Sequence, residues 1–292
     1  MENKDRLIRC LAYGGKVSIT LISSTNLVEY ARQIHDLSPT ATATLGRILT
    51  IGELIGAGLK SDKESITIQV KGNGPIGTCV CVADYGLKVK GYVQNPQVEL
   101  PLREDGKINV GGAVGKSGFI NIIKDMGMKE PYIGVTPIIT GEIAEDFVNY
   151  FAESEQQPSV VALGVLVDKD GVRRSGGYLV TLMPDADEEI ISKLEENLKD
   201  IPSISSMLEK DMELEEIAEI VSGDKNMFVL EKDEIPEFVC DCNRERFERG
   251  LISLGKEELK EIFAQEEKIE TVCNFCGKKY VFGKDDIQKL ID

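Results

Sequence analysis

The sequence predicts an α+β protein: a sheet-rich N-terminal domain with a buried helix, a helical linker and a small cysteine-rich α+β domain. Three observations predict this class. The length of 292 residues suits about two domains. Strand patterns dominate the first part of the chain, and four of the seven cysteines lie near its end. We place the N-terminal core domain at residues 1–183, the acidic helical linker at 184–232 and the cysteine-rich domain at 233–292.

The N-terminal domain alternates between strand and helix patterns. Residues 6–22 predict two strands around Gly14 and Gly15. Apolar residues three and four positions apart predict a helix over 26–36. Residues 39–59 are apolar or small on most of their circumference, which predicts a buried helix with Ser38 as its N-cap. Further strands are predicted at 65–70, 76–83, 87–93, 107–123, 133–140, 160–167 and 178–183, with a helix at 142–153.

The linker is strongly acidic. Residues 185–220 contain thirteen acids and three bases. Apolar residues recur there at helical spacing, which predicts short amphipathic helices. The pattern leaves two interpretations open: a solvated helical linker, or a conditionally folded segment that docks its apolar stripe on the N-terminal domain.

Charge and composition exclude several classes of protein. The net charge of −16 argues against a general nucleic-acid binder, which would carry a basic surface. No segment reaches the ~20 apolar residues of a membrane span. The first residues lack the apolar region of a secretory signal, so we expect a soluble, cytoplasmic protein. His35 is the single histidine, which excludes multi-histidine metal sites; we expect it to be a surface or hydrogen-bonded side chain.

Two glycine-rich segments resemble phosphate-binding loops. Residues 72–77 have the G-x-G-x-x-G spacing, but a strand-like sequence follows where a helix N-terminus is needed. Gly115-Lys116-Ser117 resembles the end of a P-loop, but position 110, where the first glycine should stand, is valine. We therefore expect no nucleotide site at either segment.

The cysteines near the C-terminus form two close pairs, 30 residues apart. Four thiolates can satisfy a tetrahedral Zn²⁺ completely. The second pair has the C-x-x-C spacing, precedes Gly277 and lies between two predicted strands, which is typical of a zinc knuckle. The first pair, C-x-C, is tighter than most zinc pairs. The four candidate ligands are Cys240, Cys242, Cys273 and Cys276, and the other three, Cys10, Cys79 and Cys81, are predicted to be small buried side chains.

The size of the last domain supports a structural metal. A core built from the 60 residues of 233–292 rarely supplies more than ~3–5 kcal/mol, whereas structural zinc contributes ~10–16 kcal/mol in small peptides. The residues leave three interpretations open: an inert zinc site, a thioredoxin-like dithiol and a redox switch that loses zinc on oxidation. The C-x-x-C pair does not open a helix of a βαβ unit, which argues against the dithiol. Five basic residues near the pairs can offset the thiolate charge: Arg244, Arg246, Arg249, Lys278 and Lys279.

The tail resembles the thirty-three-kilodalton chaperonin family, the redox-regulated heat-shock holdases of bacteria. The resemblance rests on the residues around the two cysteine pairs, 238–247 and 273–276. It extends over essentially the whole chain. Further matching segments are 74–77, 127–132, 140–146, 154–159 and 254–259.

The resemblance implies a chaperone rather than an enzyme. The reduced protein would hold one Zn²⁺ and be inactive. Oxidation would form the disulfides Cys240–Cys242 and Cys273–Cys276, release zinc and unfold the tail and the linker. The exposed apolar surface would bind unfolding client proteins without ATP, and the oxidised protein would dimerise. Asn243 and Asn274 depart from the residues expected there, but neither is a ligand.

The alternative function is a zinc-containing interaction or nucleic-acid-binding module. In that case basic residues of the tail, such as Arg244, Arg246, Lys278 and Lys279, would contact phosphate. The negative net charge argues against it.

Overall fold

The computed structural model describes residues 4–265 and 268–291, and the chain divides into two compact units between Phe238 and Val239. The larger unit confirms the sheet-rich α+β prediction. Its strands are β1 (Arg6–Ala12), β2 (Val17–Ser23), β3 (Glu64–Gly72), β4 (Thr78–Asp84), β5 (Lys88–Val93), β6 (Gly118–Met126), β7 (Tyr132–Pro137), β8 (Ser159–Asp168), β9 (Gly171–Leu182), β10 (Phe228–Glu234) and β11 (Glu237–Phe238). Its helices are α1 (Thr25–His35), α2 (Pro39–Gly56), α3 (Val110–Val114), α4 (Ile143–Glu153), α5 (Glu188–Leu198), α6 (Ile204–Glu209) and α7 (Leu214–Ser222).

The strands form two sheets, and α2 packs against both. The first sheet has the order β10-β1-β2-β9-β8 and the second β11-β5-β4-β3-β6-β7. Helix α2 is the predicted buried helix, and the Ser38 hydroxyl accepts the N-cap hydrogen bond from the Ala41 amide at 3.2 Å. Its glycines permit close contact with both sheets: a Cβ on Gly46 would lie 2.9 Å from Val165 of β8, and one on Gly52 2.6 Å from Cys81 of β4.

The strand predicted over 107–123 is wrong in its first half. Residues 110–114 form the short helix α3, whose N-cap Asn109 accepts a hydrogen bond from Gly112 at 2.8 Å, and the strand β6 begins only at Gly118. Close packing of glycines explains the difference, because the Gly74 amide donates to the Val114 carbonyl at 2.9 Å. Both phosphate-loop lookalikes are followed by strands, β4 and β6, as the sequence indicated.

The acidic helices α5, α6 and α7 pack on one face of the first sheet. Their apolar residues share a core with β1, β2 and β9, including Ile8, Ile19, Val180, Leu194, Ile217 and Val221. Ion pairs surround this core: Lys16 contacts Asp187 at 2.7 Å and Arg174 contacts Asp211 at 2.6 Å. In this structure the segment is therefore docked rather than solvated. The predicted boundaries of the linker, at residues 184 and 232, stay a prediction.

Strands β10 (Phe228–Glu234) and β11 (Glu237–Phe238) were not expected from the sequence. Strand β10 pairs with β1 at the edge of the first sheet, and β11 pairs with β5 at the edge of the second. These two pairings extend the first compact unit to Phe238.

The smaller unit contains a two-stranded hairpin and three helices within its described residues. Its elements are α8 (Arg244–Ile252), α9 (Lys256–Gln265), β12 (Lys268–Val272), β13 (Lys279–Gly283) and α10 (Lys284–Ile291). Among the described side chains, the buried members of its apolar core are Leu251, Leu259, Tyr280 and Phe282. Across residues 4–265 and 268–291, no helix is long and apolar enough to cross a membrane.

Candidate metal centre

The β12–β13 hairpin places Cys273 and Cys276 in one tight turn. The Gly277 amide donates to the Cys273 carbonyl at 2.8 Å, and the Cys273 amide donates to the Lys278 carbonyl at 2.9 Å. Gly277 has a φ of 71°, in the left-handed region that favours glycine. The turn therefore has the form predicted for a zinc knuckle.

The C-x-C pair, Cys240 and Cys242, lies on the loop between β11 and α8. Cys242 directly precedes Asn243, whose side chain caps α8 by accepting a hydrogen bond from the Arg246 amide at 2.9 Å. The Tyr280 hydroxyl lies 2.9 Å from the Cys242 carbonyl oxygen and 3.2 Å from its sulfur. The Tyr280 ring stacks on Phe247 at 4.6 Å. Helix α8 and strand β13 thus hold this loop over the hairpin.

The four predicted ligands come together in the structure. Their Sγ atoms all lie within 4.8 Å of one another. The sulfur of Cys240 is 3.7 Å from that of Cys273, and the sulfur of Cys242 is 3.5 Å from that of Cys276. A tetrahedron with Zn–S distances of ~2.3 Å has sulfur–sulfur edges of about 3.8 Å. The cluster therefore fits a Zn(Cys)₄ site, and a donor set of four thiolates favours zinc over Mg²⁺ or Ca²⁺.

The two shortest sulfur–sulfur distances each run from one cysteine pair to the other, but they do not indicate which disulfides form on oxidation. In a tetrahedron every sulfur has three equidistant neighbours. Distances of 3.5–3.7 Å are also well above the ~2.05 Å of a disulfide bond. The arrangement is that of four thiols, and the pairing on oxidation stays a prediction.

Cys240, Cys242 and Cys276 are not electrostatically equivalent. Burial raises the pKa of the Cys240 thiol and, less strongly, that of Cys276. Burial also raises the pKa of Cys242, but hydrogen bonds to its sulfur from Tyr280 and the neighbouring thiols outweigh burial and lower it below the usual value. The same hydrogen bond raises the pKa of Tyr280 to about 12. Of these three thiols, Cys242 is the one best prepared to be a thiolate.

The basic residues near the cluster mostly contact carboxylates. Arg244 pairs with Glu248 at 3.1 Å and with Asp286 at 2.8 Å, and its guanidinium lies 4.3 Å from the centre of the Phe282 ring. Arg246 pairs with Asp241 at 3.3 Å. A hydrogen-bonding partner of the sulfurs is instead Tyr280, a residue outside the set predicted from the sequence. Its position three residues after the knuckle glycine, on the strand that leaves the turn, was the available signal.

The remaining cysteines differ in kind. Cys10, Cys79 and Cys81 are fully buried in the larger unit, as predicted. Burial raises the pKa of Cys79 to about 12, and that of Cys81 well above its usual value. His35 also matches its prediction, since its Nε2 lies 3.0 Å from the Gly91 carbonyl oxygen.

The fold and the cluster define a class: an α+β protein whose small C-terminal unit is organised around four converging cysteines. The family described as Hsp33 protein matches residues 5–283. The chain is 48% identical over 290 residues to the 33 kDa chaperonin of Bacillus cytotoxicus, covering 99% of both chains. It is 44% identical over 289 residues to that of Thermoanaerobacter pseudethanolicus, covering 99% of this chain and 98% of the relative.

A solved structure agrees with these relatives. The crystal structure of a 33 kDa chaperonin (heat shock protein 33 homolog) from Thermotoga maritima matches with a TM-score of 0.91 and 39% identity, covering 99% of this chain and 98% of that one. The chain belongs to the Hsp33 family, which is a family of chaperones. The resemblance stated from the cysteine pairs is confirmed.

Proposed function

We propose that the protein is a redox-regulated, ATP-independent holdase that is inactive when reduced and zinc-bound. The observation that carries the proposal is the convergence of Cys240, Cys242, Cys273 and Cys276 to within 4.8 Å. Bound zinc would hold these four thiolates and supply folding energy that the small unit's core lacks. Family membership supports the chaperone function itself.

Oxidation is the proposed signal. Two thiolates and one hydrogen peroxide give one disulfide and two hydroxide ions, so two equivalents of peroxide convert all four ligands. We propose the pairs Cys240–Cys242 and Cys273–Cys276. A disulfide sulfur is a poor zinc ligand because the thiolate is the form that binds. Each disulfide therefore removes two of the four ligands, and the unit loses both its metal and its fold.

Unfolding of the small unit would release the docked linker, residues 184–232. Helices α5–α7 cover Ile8, Ile19 and Val180, which are at most 1% exposed. Their departure would expose a continuous apolar sheet face, and such faces bind other apolar polypeptides. We propose unfolding client proteins as the partners, a dimer as the oxidised form and the cytoplasm as the compartment.

The test measures zinc, thiols and aggregation suppression together. Hydrogen peroxide is added to the full, zinc-loaded chain at a temperature that begins to unfold it. Zinc release is followed with a chromogenic chelator, and suppression of citrate synthase aggregation is followed by light scattering. We expect one zinc per chain to leave as four thiols disappear and suppression appears. Full suppression by the reduced, zinc-bound chain would contradict the proposal.

Peptide mapping of the oxidised chain tests the pairing. We expect each disulfide to lie within one cysteine pair. A disulfide that joins the two pairs would keep the zinc-release step but reject the proposed pattern. Cys79→Ser is the matched control, because a buried core thiol should leave zinc release unchanged.

A further inference from the structure

One segment of the larger unit covers an edge of each sheet. We call residues 228–238, which contain β10 and β11, the cover segment. Strand β10 lies against β1, and β11 lies against β5; these are the end strands of the two sheets once the cover segment is set aside. A sheet edge has unpaired backbone N–H and C=O groups that can pair with any extended polypeptide. The cover segment occupies both edges.

The cover segment pairs less regularly than the strands it covers. Strands β1 and β2 pair in one continuous register over seven residues. Strands β1 and β10 pair with two register shifts, on either side of Arg9. Strand β11 has two residues, and Pro236, which has no amide to donate, separates it from β10. Irregular ladders and short strands are weak elements, so we expect this segment to detach before the sheets do.

The side-chain pattern of β10 indicates which kind of polypeptide segment can pair with the edge of β1. Val229 packs against the core under α5–α7, whereas Phe228 and Leu230 are 65% and 50% exposed. The strand therefore places alternate residues on the apolar sheet face and in solvent. An extended segment with apolar residues at every second position would meet the same surroundings.

The cover segment is joined directly to the metal centre in sequence. Phe238 lies two residues before Cys240. Its ring packs against Tyr30 at 5.5 Å and His35 at 6.2 Å, both on α1. The Glu237 amide donates to the Leu87 carbonyl at 2.8 Å. These contacts hold the end of the cover segment in place. We expect them to persist as long as zinc holds the neighbouring Cys240 and Cys242.

We infer that oxidation detaches the whole cover segment, residues 233–238 together with the end of the linker at 228–232, and that the freed edge of β1 binds extended apolar segments of unfolded proteins by strand addition. The inference rests on the proposed function and names how a client is bound. Main-chain hydrogen bonds would supply binding without sequence specificity, and alternate side chains would contact the sheet face that the linker leaves. Strand β10 is then an internal occupant of the client site.

Amide hydrogen exchange of the full chain tests strand addition directly. In the reduced protein the amides of residues 6–12 should be protected from exchange, some by hydrogen bonds to β2 and the others by hydrogen bonds to β10. Oxidation should expose those that face β10. A synthetic peptide with the sequence of residues 226–233 should restore their protection and compete with citrate synthase for the oxidised chain. The control peptide has proline at the positions of Val229 and Leu230. It should do neither, because prolines at adjacent positions remove a ladder donor in either register.

A lock on the cover segment gives a second, independent test. Cys10 and Val229 are opposite each other in the β1–β10 register. Opposite residues of an antiparallel pair have Cα atoms about 4.5–5.5 Å apart, within the range of a disulfide. In Val229→Cys, oxidation should form a disulfide to Cys10, which mass mapping would verify. Zinc release should match wild type, but peptide protection of β1 should be lost and aggregation suppression should fall towards the reduced level. Val229→Ser, which cannot form the lock, should behave as wild type.

The outcomes separate the two proposals. A wild-type chain that keeps its zinc under oxidation overturns the proposed function and this inference with it. A chain that releases zinc and suppresses aggregation while residues 6–12 stay protected overturns this inference alone. Equal suppression by the locked Val229→Cys chain and by Val229→Ser overturns it as well.

Discussion

The two units use the same side chain in opposite ways. In the larger unit, cysteines such as Cys79 and Cys81 are fully buried side chains of a broad apolar core. In the smaller unit, four cysteines converge, and the apolar core beside them has four buried members among the side chains that the structure describes. The larger unit has two cores, one around α2 and one under α5–α7. The comparison teaches that the smaller unit replaces core with ligands, so its stability depends on the state of its sulfurs.

Removal of zinc should have the largest effect and should act on one unit only. Structural zinc contributes ~10–16 kcal/mol in small peptides, and a core of this size ~3–5 kcal/mol. We expect a strong chelator to abolish hydrogen-exchange protection in β12 and β13. The amides of α2 should stay protected, because its packing against two sheets needs no metal. Persistent protection of the hairpin without metal would show that the small core suffices.

The site was more predictable from sequence than the fold. Both cysteine pairs, the knuckle glycine and the flanking strands are local in sequence, so their spacing determines their geometry. The short helix α3 was not predictable in this way, because Val110 and Val114 suit a strand and the helix depends on backbone contacts with Gly72 and Gly74.

Long-range pairing explains the other omission. The sequence of β10 combines apolar and acidic residues without a clear strand signal. It becomes a strand because β1, more than 200 residues earlier in the chain, offers it an edge. Tyr280 was overlooked for a similar reason, since its hydrogen bonds to Cys242 join residues 38 positions apart.

Truncation of the small core should have the next largest effect. Phe282 is fully buried beneath the Arg244 guanidinium, and Phe282→Ala should cost ~3–5 kcal/mol. Because zinc binding is coupled to folding of the unit, the apparent zinc affinity should fall by roughly two to four orders of magnitude. A chelator competition titration measures this affinity.

Val281→Ala is the control, since Val281 is 43% exposed on the other face of β13, and a change there is usually within ~0.5 kcal/mol. Equal effects of the two variants would contradict the importance of this core.

A buried acid should make the larger unit pH-dependent. Both carboxylate oxygens of Glu53 are buried and lack a hydrogen-bond partner among the described residues. Burial, with the charges of Asp84 and Glu234, raises the pKa of Glu53 well above its usual 4.5. The contribution of Glu53 to the stability of the larger unit should therefore be most favourable below pH ~4.5. It should become less favourable as the pH rises towards the folded-state pKa, because the folded unit then has to lose a proton that it binds more tightly than the unfolded chain does.

Substitution of Glu53 tests this in urea unfolding at pH 5 and pH 8. Glu53→Met should stabilise the larger unit by ~1–3 kcal/mol, because it removes an unpartnered polar group, and the gain should be larger at the higher pH. Glu53→Gln should reduce the pH dependence but keep an unpartnered polar group; the part that remains includes Asp5, whose pKa burial raises to about 6. Identical pH profiles for wild type and Glu53→Gln would show that Glu53 does not titrate in this range.

Loss of a single hydroxyl should have the smallest effect and should define how finely the sulfurs are tuned. Tyr280→Phe keeps the ring stacked on Phe247 but removes the hydrogen bonds to the sulfur and carbonyl of Cys242. A hydrogen bond of this kind contributes ~0.5–1.5 kcal/mol, so zinc affinity should fall by no more than about tenfold. The pKa of Cys242 should rise, since the hydroxyl lowers it, and the thiols should react more slowly with peroxide at neutral pH once zinc is removed.

A loss of zinc affinity as large as that in Phe282→Ala would mean that the hydroxyl stabilises the fold of the whole unit rather than the Cys242 sulfur alone. No change in either measurement would mean that bound zinc alone sets the state of Cys242.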